Sequence, residues 1–597
     1  MSGGVASPVQ VTASAEIYTP ITQGLQTSQT GLTFRVAAGS YSTSPQTVAV
    51  LSATATIPWT LSTNTYQGGG WLSATPTSGT GAPGSAPTTI TINVNPGGLT
   101  AQDYYGAVTL TPTDGKHPPV SIAIVLSIVP AGSPAAPVVS PTGLVFLGTT
   151  GASVLPQTFH ISNLTSSVLK YTATASATTN WFSLSLTSSS IIAAATQSIT
   201  VTPSIGNLNP GVYPGSVLLT FGDGSTQTVA LLLVVSAAPG TSSSAVIRAH
   251  AASMACVPSK LLPVLTSVGS GFTTPTAWPT AIQVQVVDDC GNSINTGSVT
   301  VSFSNGDSPV ALLAIGSGNW AGTWVPVHST AGLTIRADAQ SSRLVGSVSV
   351  SGQVTSNPNA PVVSAGGVVS AVDYKSSPAL GLLVTIFGSG LADGSAGLTG
   401  LPAPTQLGST SVLLSGSPLP LLYVSDSQVN AIIPYTVQSN ASHQLVVSRG
   451  SAYSVPVDVA VFNSEPAIVS VDGSGNGQGQ IYWVDAHGNS GLANANAPAS
   501  AGEALVILAV GLGAVSPSLT AGTGAPSSPP ANTAVPVTVT IGGVSASVFF
   551  SGLTPGFVGL YQVNATVPIG VMPGSQVPVT VSVAGRSNSG NIYMAVQ

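Results

Sequence analysis

Six histidines, His117, His160, His250, His328, His443 and His487, are the first residues to ask about metal or proton chemistry in this 597-residue chain, and no two stand at metal-ligand spacing. Serine is abundant, yet no G-x-S-x-G elbow is present to present one as a nucleophile. A glycosidase needs two carboxylates across a cleft, and acids are sparse: Glu16, Glu465, Glu503 and scattered Asp, mostly in turns. The sequence therefore predicts no catalytic residue, no metal site and no cofactor, and a protein that is not an enzyme.

Two turns carry oxygen side chains at close spacing. Asp472-Gly473-Ser474-Gly475-Asn476-Gly477 has the first half of a calcium loop, but Trp483 stands where the bidentate Glu belongs, so a glycine-rich turn is preferred. Asp288-Asp289 beside Cys290 is likewise read as a solvated turn. Cys256 and Cys290, 34 residues apart, predict a disulfide worth roughly 3–4 kcal/mol by loop closure and an oxidising compartment; two buried thiols are the other reading. Among seven tryptophans, Trp320 and Trp324 fall four apart on one face of a strand. That pair is the best candidate for stacking on carbohydrate, although a core face is the preferred reading, as it is for Trp71 and Trp181.

The elements that must carry these residues follow from composition. Charged residues are 4% of the chain, against roughly 25% in an ordinary domain, so the surface must be built from neutral polar side chains. Ten basic residues and a net charge of −6 exclude nucleic acid and anionic lipid as partners. Apolar runs such as Val229 to Val235 are a strand long, too short for a membrane span, so no membrane insertion is expected. Met1-Ser2-Gly3-Gly4 has no signal-peptide pattern, and the expectation is a removed leader or a mature start. Short alternating bursts such as Thr89-Ile90-Thr91-Ile92-Asn93-Val94, punctuated by Gly and Pro, predict an all-β chain.

Two internal repeats organise it. In the first half Gly31-Leu32-Thr33-Phe34 is echoed by Gly143-Leu144-Val145-Phe146, Pro45-Gln46-Thr47 by Pro156-Gln157-Thr158, Trp71-Leu72-Ser73 by Trp181-Phe182-Ser183, and Leu99 to Val108 by Leu208 to Val217. The period of about 110 residues is that of one immunoglobulin-like sandwich. In the last third Val384 to Leu391 corresponds to Val506 to Gly513, and Gln428-Val429-Asn430-Ala431 to Gln562-Val563-Asn564-Ala565. The expected architecture is a string of five immunoglobulin-like β-sandwiches: 24–130, 138–236, 245–353, 361–462 and 463–597, preceded by an arm, 1–23.

The Trp-Leu-Ser entry, the alternating Ile-Thr-Ile strand and the Tyr-x-Gly approach to the last hairpin resemble BACON-type bacterial domains over residues 24 to 236. Some members of that family are thought to bind carbohydrate, and many look like spacers. Val284 to Asn292 with Val299 to Phe303 looks like a bacterial Ig-like domain. The G-x-G-L turn, Ser415-Gly416 and Gln-Val-Asn look like TIG/IPT domains. Ala525-Pro526, Val539 to Gly543, Pro555 to Asn564 and the Ala595-Val596-Gln597 ending resemble the uncharacterised C-terminal domain of Solibacter-type acidobacterial exported proteins. That resemblance implies export and brings no activity.

In the arm, Val9, Val11, Ala13, Ala15 and Ile17 alternate with polar residues, the pattern of a strand with one apolar face. It can pair within its own first sandwich or complete the sheet of a neighbouring copy, and such head-to-tail donation extends a filament. The function expected from sequence is that of an exported structural rod at the cell surface or in an extracellular filament, its partners copies of itself. The alternative is a surface adhesin binding polysaccharide.

Overall fold

The computed structural model describes residues 24–40, 43–53, 55–83, 87–206, 208–237, 256–588 and 591–597, and every regular element among them is a β-strand. Alternation sets the faces. In Gly31–Ala37, Leu32, Phe34 and Val36 point into a core while Thr33 and Arg35 face outward.

The first sandwich pairs a four-stranded sheet, in the order Leu25–Thr27, Gln46–Ser52, Thr88–Val94, Leu72–Thr75, with a five-stranded one. The latter runs Gly31–Ala37, Val120–Val129, Asp103–Pro112, Ile57–Thr65, Ser78–Gly81. The second sandwich repeats this order strand for strand, from Val138–Ser140 to Thr226–Ser236. The third has the same four-plus-five plan, which its sequence did not advertise. In all three the opening strand breaks, and its second half pairs in parallel with the last strand: Gly31–Ala37 on Val120–Val129, Gly143–Thr149 on Thr226–Ser236, Phe272–Pro275 on Leu344–Thr355.

The repeated motifs have mechanical roles. Gln46 Nε2 donates to the Thr33 carbonyl at 2.9 Å and Gln157 Nε2 to the Val145 carbonyl at 2.7 Å, so the glutamine of each Pro-Gln-Thr ties one sheet to the other. Tyr104 and Tyr213 each donate a hydroxyl hydrogen bond to the carbonyl four residues back, at 3.0 and 2.8 Å, forming tyrosine corners. Two residues on, Gly106 and Gly215 lie under the indoles of Trp71 and Trp181, where a Cβ would come within 3.3 and 3.2 Å of the rings.

The fourth sandwich stacks Val362–Ser370, Leu383–Ser389, Gln428–Ile432 and Leu421–Val424 against the sheet built on Thr410–Leu414 and Ala441–Arg449. In the fifth, Val544–Leu553 bends at a bulge between Val548 and Phe550 and pairs with Val537–Ile541 on one side and Tyr561–Thr566 on the other. The Gln-Val-Asn-Ala repeat does the same thing twice: Val and Ala enter the core, while Gln428 donates to Asn430 at 2.8 Å and Gln562 to Asn564 at 3.0 Å on the outer face.

The sandwiches are not joined only to their chain neighbours. Tyr66, Tyr105 and Val125 of the first meet Ala277 and Trp278 of the third and Ala360, Val362, Ala452 and Tyr453 of the fourth in one apolar cluster. Thr33 Oγ1 donates to the Pro279 carbonyl at 2.8 Å, and Gln438 to the Lys116 carbonyl. Between the second and third, Val145, Leu232 and Val234 pack on Val264 and Val287. A rod whose units meet only their sequence neighbours lacks such contacts. The expectation of a rod is corrected accordingly, because outward faces of the first sandwich carry aromatic residues that must be covered.

Candidate functional site

Trp320 and Trp324 take the core face that the sequence reading preferred, and their candidacy for carbohydrate stacking is overturned. Trp320 and Trp324 are 4% and 1% exposed, and no sugar reaches either ring. Trp320 Nε1 donates to the Ile294 carbonyl at 2.9 Å. Trp324 stacks on Phe303 with centroids 4.3 Å apart and donates to Asp307 Oδ2 at 3.0 Å. Four-residue spacing on a strand puts both indoles on one face, and here that face is the core. Trp71 and Trp181 are core residues too.

The oxygen-rich turns use their own donors. Asp472 Oδ1 accepts from Ser474 N at 3.0 Å, Ser474 Oγ at 2.7 Å and Ser470 Oγ at 2.9 Å. Asp288 Oδ1 accepts from the amides of Cys290 and Asn292, both at 2.9 Å. These are carboxylate-closed turns. Cys256 and Cys290 stand at disulfide distance, their Cα atoms 5.7 Å apart. Val9, Val11, Ala13, Ala15 and Ile17 lie outside the described residues. Among the described residues, no three His, Cys, Asp or Glu side chains converge as metal ligands would.

What sequence reasoning missed is a cleft of about 1050 Å³ walled by the first three sandwiches. The first contributes Thr33, Arg35 and Gln46, the second His160 and Ser162, the third Gln283. The second sandwich presents His160, Ser162 and Thr196 there, with Ser162 and Thr196 hydrogen-bonded across strands at 2.8 Å and His160 to Ser198 behind them at 2.9 Å. Hydroxyl and amide side chains share the lining about evenly with apolar ones, and Arg35 is the guanidinium among them.

Arg35 is unusual. Its Nε is shut off from solvent without a hydrogen-bond partner among the described residues, and burial pushes its guanidinium below the ordinary arginine value, with the Asp103 charge opposing. Arg35, Ser127 and Asp103 face each other across three neighbouring strands, so two strand spacings separate the charges and no ion pair forms. Burial raises the Asp103 carboxyl, which takes a hydrogen bond from Ser127 instead. A second cleft, of about 950 Å³, opens between the first, third and fourth sandwiches and is lined by Gln444 and Asp458; burial raises the Asp458 carboxyl too.

No protein-family model and no curated protein sequence matches this chain. Solved structures match parts of it. The surface glycan-binding protein SGBP-B of the Bacteroides ovatus mixed-linkage glucan utilization locus, solved with a heptasaccharide, is 13% identical over 56% of this chain and 69% of that one, with a TM-score of 0.25. The CsuC–CsuE chaperone–tip adhesion subunit complex of Acinetobacter baumannii Csu pili is 9% identical over 37% of this chain and 100% of that one, TM-score 0.18. A PapD-like domain of human CEP192 is 13% identical over 18% of this chain and 94% of that one, TM-score 0.15. Identities this low concern fold alone, and nothing about activity follows from them. The chain is all-β, built of immunoglobulin-like sandwiches.

Proposed function

We propose that this chain is a non-catalytic extracellular or cell-surface protein that holds polysaccharide in the cleft between its first three sandwiches. The observation that carries this reading is the lining: hydroxyls and amides from three clamped domains converge on one cleft, the complement of a ligand made of hydroxyls. The test is affinity electrophoresis of the full chain through gels containing a panel of neutral and acidic polysaccharides. At least one should retard it; migration unchanged in every gel overturns the reading.

A second reading has its own observation. The alternating residues Val9 to Ile17 stand shortly before Leu25–Thr27, which is an edge strand of its sheet. Strand addition by that arm would make the protein a self-assembling filament subunit. Deleting residues 1–22 and measuring particle size by light scattering tests it: unchanged size rejects the arm. For ancestry, we propose BACON-type relationships for the first two sandwiches, a bacterial Ig-like one for the third and TIG/IPT-like ones, of the Solibacter type, for the last two. The identical strand order of the first two supports placing them together.

A further inference from the structure

We propose that the cleft is selective for acidic polysaccharide, with Arg35 as the residue that receives a sugar carboxylate or sulfate. The inference rests on the polysaccharide reading above and deepens it.

The two N-terminal copies supply the argument. Their five-stranded sheets superpose in order, so Arg35 corresponds to Leu147, Ser127 to Val234 and Asp103 to Val212. In the second copy that outward face is apolar. Val212 and Val234 pack in the cluster that joins the second sandwich to the third, and Leu147 lies near Gly291 of the third. Covering this face against a neighbouring sandwich therefore needs no charge. The first copy nevertheless carries an arginine there, and a largely buried cation without a partner is costly.

The Asp103 charge, two strand spacings away, offsets only part of that cost. Among the described residues Arg35 makes neither a hydrogen bond nor an ion pair, and Ser127 stands between it and Asp103. Its planar fork of donors matches a carboxylate or sulfate. Across the cleft, the side-chain amide of Gln283 also has no partner among the described residues and lines the same space. Net charge argues for specificity as well. A chain at −6 repels polyanions in general, so attraction must come from a local site.

The test is calorimetric titration of the full chain with polygalacturonate, dextran sulfate and neutral dextran. Expected are binding of one or both acidic polymers, at least tenfold weaker binding of that polymer in Arg35→Gln, partial recovery in Arg35→Lys, and weakening in Gln283→Ala. The two acidic polymers separate carboxylate from sulfate as the group received. Equal affinity of wild type and Arg35→Gln for the acidic polymer overturns the proposal. Dextran bound as tightly as polygalacturonate and dextran sulfate overturns it while leaving the polysaccharide reading standing; no binding to any polymer overturns both. Should Arg35→Gln unfold, Gln283→Ala decides: unchanged affinity there counts against the cleft.

Discussion

Tyr66 of the first sandwich and Tyr453 of the fourth stack face to face, with ring centroids 3.8 Å apart and planes 13° from parallel. Tyr105 stands beside them, and Trp278 of the third sandwich donates its indole hydrogen to the Tyr105 hydroxyl at 3.4 Å. Three domains far apart in sequence are thus fixed through four aromatic rings. A double-mutant cycle on Tyr66→Ala and Tyr453→Ala should give a coupling of about 0.5–1.5 kcal/mol in chemical denaturation. Either single variant should also enlarge the radius of gyration in solution scattering. Strict additivity would show that the rings do not meet.

The same junction makes the protein sensitive to alkali. Burial pushes the hydroxyls of Tyr66 and Tyr105 up to about 12, from an ordinary value near 10. The folded state thus favours the neutral phenols. Their contribution is complete below pH 10 and is lost as pH rises through about 12. Tyrosinate absorbance should show a late step near pH 12 from Tyr66 and Tyr105, coincident with expansion in scattering. A single transition near pH 10 would contradict buried rings.

How much of this was legible depends on where a residue finds its partner. Gln46, Tyr104 and Gly106 act inside one sandwich, so the same residues recur in the second copy as Gln157, Tyr213 and Gly215, and the repeat exposes them. Tyr105 and Arg35 act between sandwiches. Their counterparts are Pro214 and Leu147, so the signal was the mismatch between copies, which a search for matches passes over. The charge scarcity reads differently for the same reason. An even neutral surface was expected, yet Arg35, Asp103, Arg449 and Glu465 are largely enclosed where sandwiches meet. Alternation reports which face a residue takes, and it says nothing about which other domain covers that face.

Asp307 offers a test of the correction at Trp324. This carboxylate is 2% exposed in its side chain and accepts hydrogen bonds from Trp324 Nε1, Asn305 Nδ2, Val327 N and His328 N, at 3.0 to 3.2 Å. Asp307→Ala orphans those donors and should cost roughly 3–5 kcal/mol in denaturant unfolding. Trp324→Ala should be comparably damaging, through its lost stack on Phe303. Neither should alter polysaccharide affinity at temperatures where the variant is folded. A Trp324→Ala protein of native stability that loses glycan binding would restore that tryptophan as a stacking residue.

Glu465 shows what one enclosed charge does where the fourth and fifth sandwiches meet. Its carboxylate is 8% exposed and lies between Lys375, at 3.3 Å, and Arg586, which also covers the Phe462 ring at 3.9 Å. Beside it, the Glu465 carbonyl leaves no room for a Cβ on Gly511, a residue with φ of +74°. Backbones meet there at glycine distance, so neither side can relax if the charge is removed. Glu465→Gln keeps the shape, strands two partly hydrated cations near the interface, and should destabilise by about 1–3 kcal/mol. Replacing all three, Glu465→Gln with Lys375→Met and Arg586→Met, should recover part of that loss, because the penalty lies in the stranded cations more than in the missing attraction. Thermal unfolding of the single and triple variants separates the cases: a triple variant less stable than the single one would mean that the ion triad itself holds the two sandwiches together.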